Sequence, residues 1–178
     1  MAEFGTALDE TPSNLNYLSP LIYKFQIKKT PTVNFFVQNI NLPGLHLANI
    51  DVNNQFVRVP KGGDHIDYDE LMINFKVDET LTNWLEIHNW IRGMGFPESF
   101  SEYSALNNQP QATGLGLYSD ASLVICNSQR IPKFNVIFED AFPISLSSII
   151  FDNTQSNETY LTAAATFKYT KYDIETII

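Results

Sequence analysis

Apolar and polar residues alternate at every second position over several short stretches of the chain. Residues 21–29 read LIYKFQIKK, with leucine, isoleucine and the aromatic residues on one face and the lysines and glutamine on the other. The run LMINFKV over residues 71–77 repeats this two-residue period, and residues 33–41 repeat it less cleanly. Such alternation predicts half-buried strands, with residues 71–77 in the core.

The middle and the C-terminal third of the chain predict more strands. Residues 47–59 hold two alternating runs around Asn53-Asn54, and asparagine tolerates the backbone of a tight turn, so we predict a β-hairpin there. The acidic run KGGDHIDYDE at residues 61–70 predicts an exposed loop. Further strands are predicted over residues 121–128, 133–142, 144–151 and 159–172.

One helix is predicted, over residues 79–92, where the sequence is ETLTNWLEIHNWIR. Apolar side chains recur there at helical spacing and form a single stripe. The residues of the stripe are Leu81, Trp84, Leu85, His88 and Ile91. Asp78 or Thr80 can cap the start of this helix, and Gly93 suits its end.

Many strands and one helix indicate a mainly β (α+β) fold, an antiparallel β-sandwich or barrel-like domain with one flanking α-helix. A chain of 178 residues fits one such domain, which we assign to residues 20–178. Residues 1–19 lack periodicity and predict an N-terminal arm. Residues 94–119 are rich in Gly, Pro, Asn and Ser and predict an inserted loop for function or assembly.

The charge balance limits the possible partners. Twenty acidic residues against eleven basic ones give a net charge of −9, which opposes binding to nucleic-acid phosphates but not a channel through which DNA slides. The only cysteine, Cys126, excludes an internal disulfide. No basic and apolar leader and no membrane-length apolar run occur, which predicts a protein used in a cytoplasm.

Candidate chemistry is weak throughout the sequence. The cluster Asp64–Glu70 lacks the spacing of a calcium loop, and His88 lies on an apolar stripe without a second ligand one turn away. Trp84 and Trp90 are predicted to pack in the core or at an interface. No metal, cofactor or catalytic site is predicted.

Two other functions stay open from the residues alone. A β-sandwich could recognise a glycan or a protein through the loop from Gly95 to Tyr118. A hydrolase could bring together carboxylates that are distant in sequence, such as Asp64, Asp67 or Glu98.

Three segments, taken in order, resemble the tail tube protein family of contractile-tailed phages of the myovirus type. They are FFVQNINLPGL at residues 35–45, the strand and helix at residues 68–97, and residues 133–174 with the motif FEDAFPISLSSIIF. The resemblance extends from Leu21 to Asp173. It implies a β-sandwich-like domain that closes into a hexameric ring around a lumen wide enough for DNA.

Within this family the chain most resembles the class that completes the tail tube, also called tail completion and sheath stabiliser proteins. The segment GMGFPE after the helix and the long insertion that follows favour that class. The repeated tube subunit and the baseplate initiator are the alternatives. All three are structural virion proteins, not enzymes, and require no cofactor.

The resemblance also implies partners and contacts. The partners are other copies of the chain, the tail tube, the sheath and the neck, with DNA passing without specific binding and with no membrane contact. The location is the tail of the virion, after assembly in the host cytoplasm. The residues implied in contacts between subunits or rings are Asn53, Asn54, Phe56, Leu71, Ile73, Phe75, Trp84, Trp90, Phe167 and Tyr169.

Overall fold

The computed structural model describes residues 15–109, 116–154 and 160–177. Within them the chain is mainly β with antiparallel strands, which confirms the predicted fold class. The elements are β1 (Tyr23–Ile27), α1 (Pro31–Phe36), β2 (Val37–Ile40), β3 (Leu45–Asn53), β4 (Arg58–Tyr68), β5 (Leu71–Lys76), α2 (Thr82–Gly95), α3 (Phe100–Asn107), β6 (Ser119–Cys126), β7 (Pro132–Leu146), β8 (Thr162–Lys168) and β9 (Lys171–Thr176).

One long antiparallel ladder organises the fold. Strand β7 pairs along one side with β8 and β9, which follow each other in line. The prediction of two strands over residues 133–151 is wrong, because β7 continues through Pro143. This proline lies beyond Ala141, where pairing with β6 ends, and beside a register shift against β8. A strand accepts proline at such places because no ladder hydrogen bond is lost there.

The long ladder belongs to two layers. One layer consists of β1, β6, the first half of β7 and β9. The other layer consists of the second half of β7, β8, β5 and β2. The strand passes between the layers near Asp140, whose φ of 55° lies in the left-handed region. Helix α1 connects β1 to β2, the two ends of this strand order. The result is a barrel-like sandwich.

The core fills the space between the two layers. Every second residue of β5 and β8 is buried, as the alternation in sequence predicts for a half-buried strand. Trp90 of α2 lies in the same core, with its ring 6.1 Å from that of Phe167. The core residues are Phe25, Ile27, Val33, Leu71, Ile73, Phe75, Ile87, Trp90, Ala121, Leu123, Val136, Phe138, Ala141, Ala163, Ala165 and Phe167.

Helix α2 exists as predicted but differs in phase. It begins at Thr82, whose backbone N–H donates to Asp78 Oδ1 at 2.9 Å, but the N-cap position is Leu81 in the left-handed region, so the prediction of Asp78 or Thr80 as the cap is wrong. It continues past Gly93 to Gly95, so the predicted end is wrong. The predicted stripe is also wrong for Leu85, which is exposed. The buried face consists of Asn83, Ile87, Trp90 and Gly93.

The phase differs because one buried residue of α2 is polar. Asn83 is fully buried, and its side chain donates to the carbonyl of Lys76 at 2.7 Å. Its Oδ1 accepts the backbone N–H of Trp84 at 2.8 Å and that of Asp78 at 3.3 Å. These bonds satisfy backbone N–H and C=O groups between β5 and α2. A pattern of apolar residues alone cannot show them.

Three further boundaries differ from the prediction. Residues 33–41 form most of α1 and then β2 instead of one strand, with Pro31 at the first helical position. Most of the predicted acidic loop at residues 61–70 is the second half of β4. The predicted insertion at residues 94–119 contains α3.

The predicted arm at residues 1–19 lies largely outside the described residues, of which residues 15–19 form no strand or helix. Residues 110–115 of the predicted insertion also lie outside them. In the described part of the chain, no helix is long and apolar enough to cross a membrane.

Candidate assembly surfaces

The β3–β4 hairpin is the most exposed element of the described chain. Its two strands form a sheet of their own, and every side chain of β3 is exposed. The hairpin predicted at residues 47–59 is confirmed and is longer than predicted. Its turn closes with the N–H of Asn54 donating to the carbonyl of Val57 at 3.2 Å, and Phe56 at the tip is 88% exposed.

Apolar side chains lie on opposite faces of this hairpin at its base and at its tip. At the base, Leu47 lies opposite Ile66. Near the tip, Val52 lies opposite Val59. A side-chain carbon placed on Gly62 would lie 3.8 Å from Leu47 Cδ2, so these two positions share a face.

The strand register completes the assignment of the two faces. Gly62 pairs with Asn49, so Asn49 lies on the same face as Leu47. Successive side chains of a strand point to opposite sides, so Val52, three positions after Asn49, lies on the other face. A hairpin with apolar groups on both faces fits contacts with more than one surface.

Tyrosines fix the base of the hairpin to the barrel. The hydroxyl of Tyr169 donates to the carbonyl of Asp69 at 2.9 Å, and that of Tyr172 donates to the carbonyl of Pro43 at 3.1 Å. The ring of Tyr68 lies 5.8 Å from that of Tyr169 and 5.6 Å from that of Tyr172. Burial above all, with the nearby Tyr172, Asp69 and Tyr68, raises the pKa of Tyr169, so its hydroxyl keeps the proton that it donates.

Several strand edges are available for pairing in the described chain. Strand β1 pairs only with β6, β2 only with β5 and β9 only with β7. Unpaired edges of this kind readily accept a strand of another chain. The layers therefore offer edges for side-by-side association of subunits.

Helices α2 and α3 are joined on the side of the barrel. The guanidinium of Arg92 forms ion pairs with Glu98 and with Glu102, the latter at 3.2 Å. A side-chain carbon on Gly93 would lie 2.5 Å from Leu106 Cδ1, so glycine allows the two helices to approach.

Lys29 and Trp90 bind the segment that leads into β6. Lys29 Nζ donates to the carbonyl of Gly116 and lies 4.9 Å from the centre of the Trp90 ring. Trp90 Nε1 donates to the carbonyl of Leu117 at 2.9 Å. Burial lowers the pKa of Lys29 to about 8.

The residues predicted for contacts between subunits fall into three groups by burial. Asn53, Asn54 and Phe56 lie together at the exposed hairpin tip, and Trp84 and Tyr169 are partly buried. The other five have buried side chains, so they can only position strand and helix backbones for assembly. These five are Leu71, Ile73, Phe75, Trp90 and Phe167. Contact of any of the ten with another subunit stays a prediction.

The residues considered for chemistry are spread over the surface. Asp64 and Asp67 lie on β4, whereas Glu98 lies between α2 and α3 in its ion pair with Arg92. His88 stacks on Trp84 at 5.1 Å between ring centres. Among the described residues no group of His, Cys, Asp and Glu is arranged to hold a metal ion.

Comparison with known proteins accounts for this combination of barrel, hairpin and edges. The family model described as phage tail tube protein matches residues 10–175. The chain belongs to the phage tail tube protein family. The resemblance to tail tube proteins is thereby confirmed, and the family is one of structural phage proteins.

One known protein is similar to the chain in sequence, and two solved structures are similar to it in fold. The tail tube terminator protein of Enterobacteria phage T4 is 28% identical over 144 residues, which cover 78% of this chain and 76% of the relative. The tube-terminating cap of the anti-feeding prophage has a TM-score of 0.59 at 13% identity, with 97% of this chain and 100% of that chain covered. The sheath/tube terminator of the extracellular contractile injection system PVC gives 0.58 at 12% identity, with 91% and 99% covered.

Proposed function

We propose that this tail tube protein forms a hexameric ring that completes the tail tube of a contractile phage and connects it to the neck. The observation that carries the proposal is the hairpin with apolar side chains on both faces, because an isolated two-stranded hairpin needs cover to be stable. Another subunit provides that cover. Similarity to the terminator of phage T4 favours the end of the tube over the repeated subunit or the initiator.

Ring closure uses the strand edges. Neighbouring copies pair edge to edge, which hides backbone groups that would otherwise attract other strands. The layer that contains β5 and β8 faces the lumen, and its buried residues Leu71, Ile73, Phe75 and Phe167 fix its position from within. Trp84, Trp90 and Tyr169 support the same layer from α2 and from the hairpin base.

The outward side chains of β5 and β8 suit a surface past which DNA moves. They alternate with the buried residues and include no carboxylate. They are Met72, Asn74, Lys76, Thr162, Ala164, Thr166 and Lys168. Lys168 is paired with Glu70 at 3.8 Å, whereas Lys76 lies over the uncharged ring of Tyr160 and keeps its charge, so this surface offers DNA isolated phosphate contacts that read no bases. DNA therefore passes without specific binding.

The hairpin tip, with Asn53, Asn54 and Phe56, contacts the last ring of the tail tube. Sheath and neck proteins bind the remaining outer surfaces. The role is mechanical: backbone pairing and apolar contacts do the work, without an enzymatic step or a cofactor. The protein acts in the virion, is assembled in the host cytoplasm and has no membrane contact. In this arrangement residues 1–19 form an arm beside the domain of residues 20–178.

The test is negative-stain electron microscopy of the purified protein, alone and with preformed tubes of the tail tube protein of the same phage. We expect six-fold rings that do not lengthen and that seat on tube ends. Val52→Lys places a charge on the apolar face of the tip and should reduce capped ends at least tenfold. The matched control is Asn49→Lys, which adds the same charge to the opposite face at an exposed position outside the tip.

The possible outcomes separate the candidate functions. Long tubes of the protein alone would make it the repeated tube subunit. A monomer that neither closes nor caps tubes would contradict a tube role and favour a binding module, tested next by glycan-array binding. An equal loss of capping in both variants would contradict docking through the apolar face of the tip.

A further inference from the structure

The hairpin is a long arm attached only at its base. Its nine-residue strand β3 spans about 30 Å at the usual rise of a strand. A swing of about 10° at the base would therefore move the tip by about 5 Å, more than the length of one side-chain contact. Accurate placement of the tip requires a base that cannot swivel.

Both ends of the hairpin, the segment before β3 and the segment after β4, are held by a residue that follows β8 and a residue of β9. Tyr169 follows β8 and Tyr172 lies in β9, and β8 and β9 form one continuous ladder with β7. The two hydroxyls bond carbonyls on different legs, Asp69 after β4 and Pro43 before β3. Asn41, before the hairpin, also bonds Met72 and Glu70, so the two hydroxyls add the attachment points that lie nearest to the legs.

The surrounding contacts make the two tyrosines rigid. The ring of Phe138, which is buried in β7, lies 5.1 Å from that of Tyr169 and 5.7 Å from that of Tyr172. The legs are also joined to each other, since the N–H of Asp69 donates to the carbonyl of Gly44 at 3.1 Å. The clamp thus runs from the core ladder, through two hydroxyls, to a closed hairpin base.

We infer that the hydroxyls of Tyr169 and Tyr172 are a two-point clamp that sets the direction of the β3–β4 hairpin and thereby allows its tip to dock. The docking part rests on the proposed function. The tyrosines are positioning residues, because they contact the hairpin base and not the docking partner.

The direct test measures the direction of the hairpin in the isolated protein. Spin labels on cysteines introduced at Gln55 on the tip and at Lys24 on β1, with Cys126→Ser, report the distance between arm and barrel by pulsed EPR. Tyr169→Phe and Tyr172→Phe, singly and together, remove the hydroxyls and keep the rings. We expect one narrow distance distribution in the wild type and a distribution at least twice as broad in the double variant.

Two comparisons separate positioning from general damage. Tyr118→Phe is the matched control, because this ring is also partly buried, at 5.6 Å from Phe142, and lies away from the hairpin. Its distribution should stay narrow. Each lost hydrogen bond should lower the melting temperature by only about 2–4 °C, so the double variant stays folded. The single variants show whether one hydroxyl is enough.

A narrow distribution in the double variant would overturn the clamp, whatever its effect on tubes. A broad distribution with unchanged capping of tubes would overturn its role in docking. If the wild type itself never caps tubes, the proposed function fails, while the EPR comparison still decides whether the clamp exists.

Discussion

At the scale of single residues, stability depends on the side chains between the two layers. Phe75 is fully buried in β5, whereas Phe151 after β7 is 75% exposed. We expect Phe75→Ala to lower the free energy of unfolding by about 3–5 kcal/mol through lost burial and the cavity left behind. Phe151→Ala, which removes the same atoms from the surface, should change it by less than about 0.5 kcal/mol.

Urea unfolding curves of the two variants measure this difference. If the dependence of the free energy on urea concentration is the same for both, the shift of the midpoint gives the change in stability. Equal midpoints for both variants would mean that the space around Phe75 is not a packed core.

Lys29 predicts a pH dependence. Its pKa is about 8 in the folded chain, against 10.5 as the ordinary value, so unfolding takes up a proton between these pH values. The free energy of unfolding should therefore rise with pH in this window. Thermal melts of the wild type and of Lys29→Met at pH 7 and pH 9.5 isolate the effect, because other titrating groups are common to both.

The wild type should gain stability relative to Lys29→Met at the higher pH. A difference between the two proteins that does not change with pH would show that Lys29 holds its proton as tightly in the folded as in the unfolded chain.

At the scale of elements, the contact of α2 with α3 depends on a glycine. Gly93→Ala places a methyl group 2.5 Å from Leu106 Cδ1, so the Leu106 side chain or α3 has to shift, whereas a methyl group on Gly95 meets nothing within 4 Å. Alanine favours a helix over glycine by up to about 1 kcal/mol. We therefore expect Gly95→Ala to stabilise the protein and Gly93→Ala to gain less or to destabilise it.

Hydrogen exchange should show faster exchange of the α3 amides in Gly93→Ala than in Gly95→Ala. The substitution Leu106→Ala removes the clash. It should therefore lower the free energy of unfolding less in the Gly93→Ala variant than in the wild type. Additive costs would contradict a direct contact between these two residues.

The sequence predicts best where one face of an element is buried and the other is exposed. Strand β5 follows from strict alternation, because a half-buried strand forces this pattern. The phase of α2 could not be predicted, since Asn83 is buried through hydrogen bonds that become visible only with β5 in place. The length of β7 could not be predicted, because Pro143 indicates a strand end in the sequence but lies at a register shift where a strand accepts proline.

The candidate site divides in the same way. The hairpin tip at Asn53-Asn54 carries its own turn signal and could be predicted. The tyrosine clamp could not, because it joins Tyr172 to Pro43 across more than half of the chain. The repeated tyrosines in the sequence KYTKY are the only local sign of it.

At the scale of the whole molecule, charge opposes assembly. Each chain has a net charge of −9, so copies that gather in a ring repel one another. Raising NaCl from 20 to 300 mM should lower the protein concentration needed for ring formation, because salt screens this repulsion. Mass photometry over a dilution series measures it, with circular dichroism as the control for an unchanged fold.

Rings that dissociate as salt rises would contradict this expectation. They would show that ion pairs between unlike charges dominate the contacts between subunits.

The strand order also determines when the chain can fold during synthesis. Strand β1 pairs with β6 and β5 pairs with β8, so strands from the first half have to wait for partners made much later. Such non-local pairing slows folding and leaves apolar faces uncovered on the ribosome. The hairpin joins strands that are adjacent in sequence, so its pairing can begin as soon as it emerges, although it becomes stable only when another surface covers it. The surface proposed for docking thus takes its register before the barrel that has to aim it is complete.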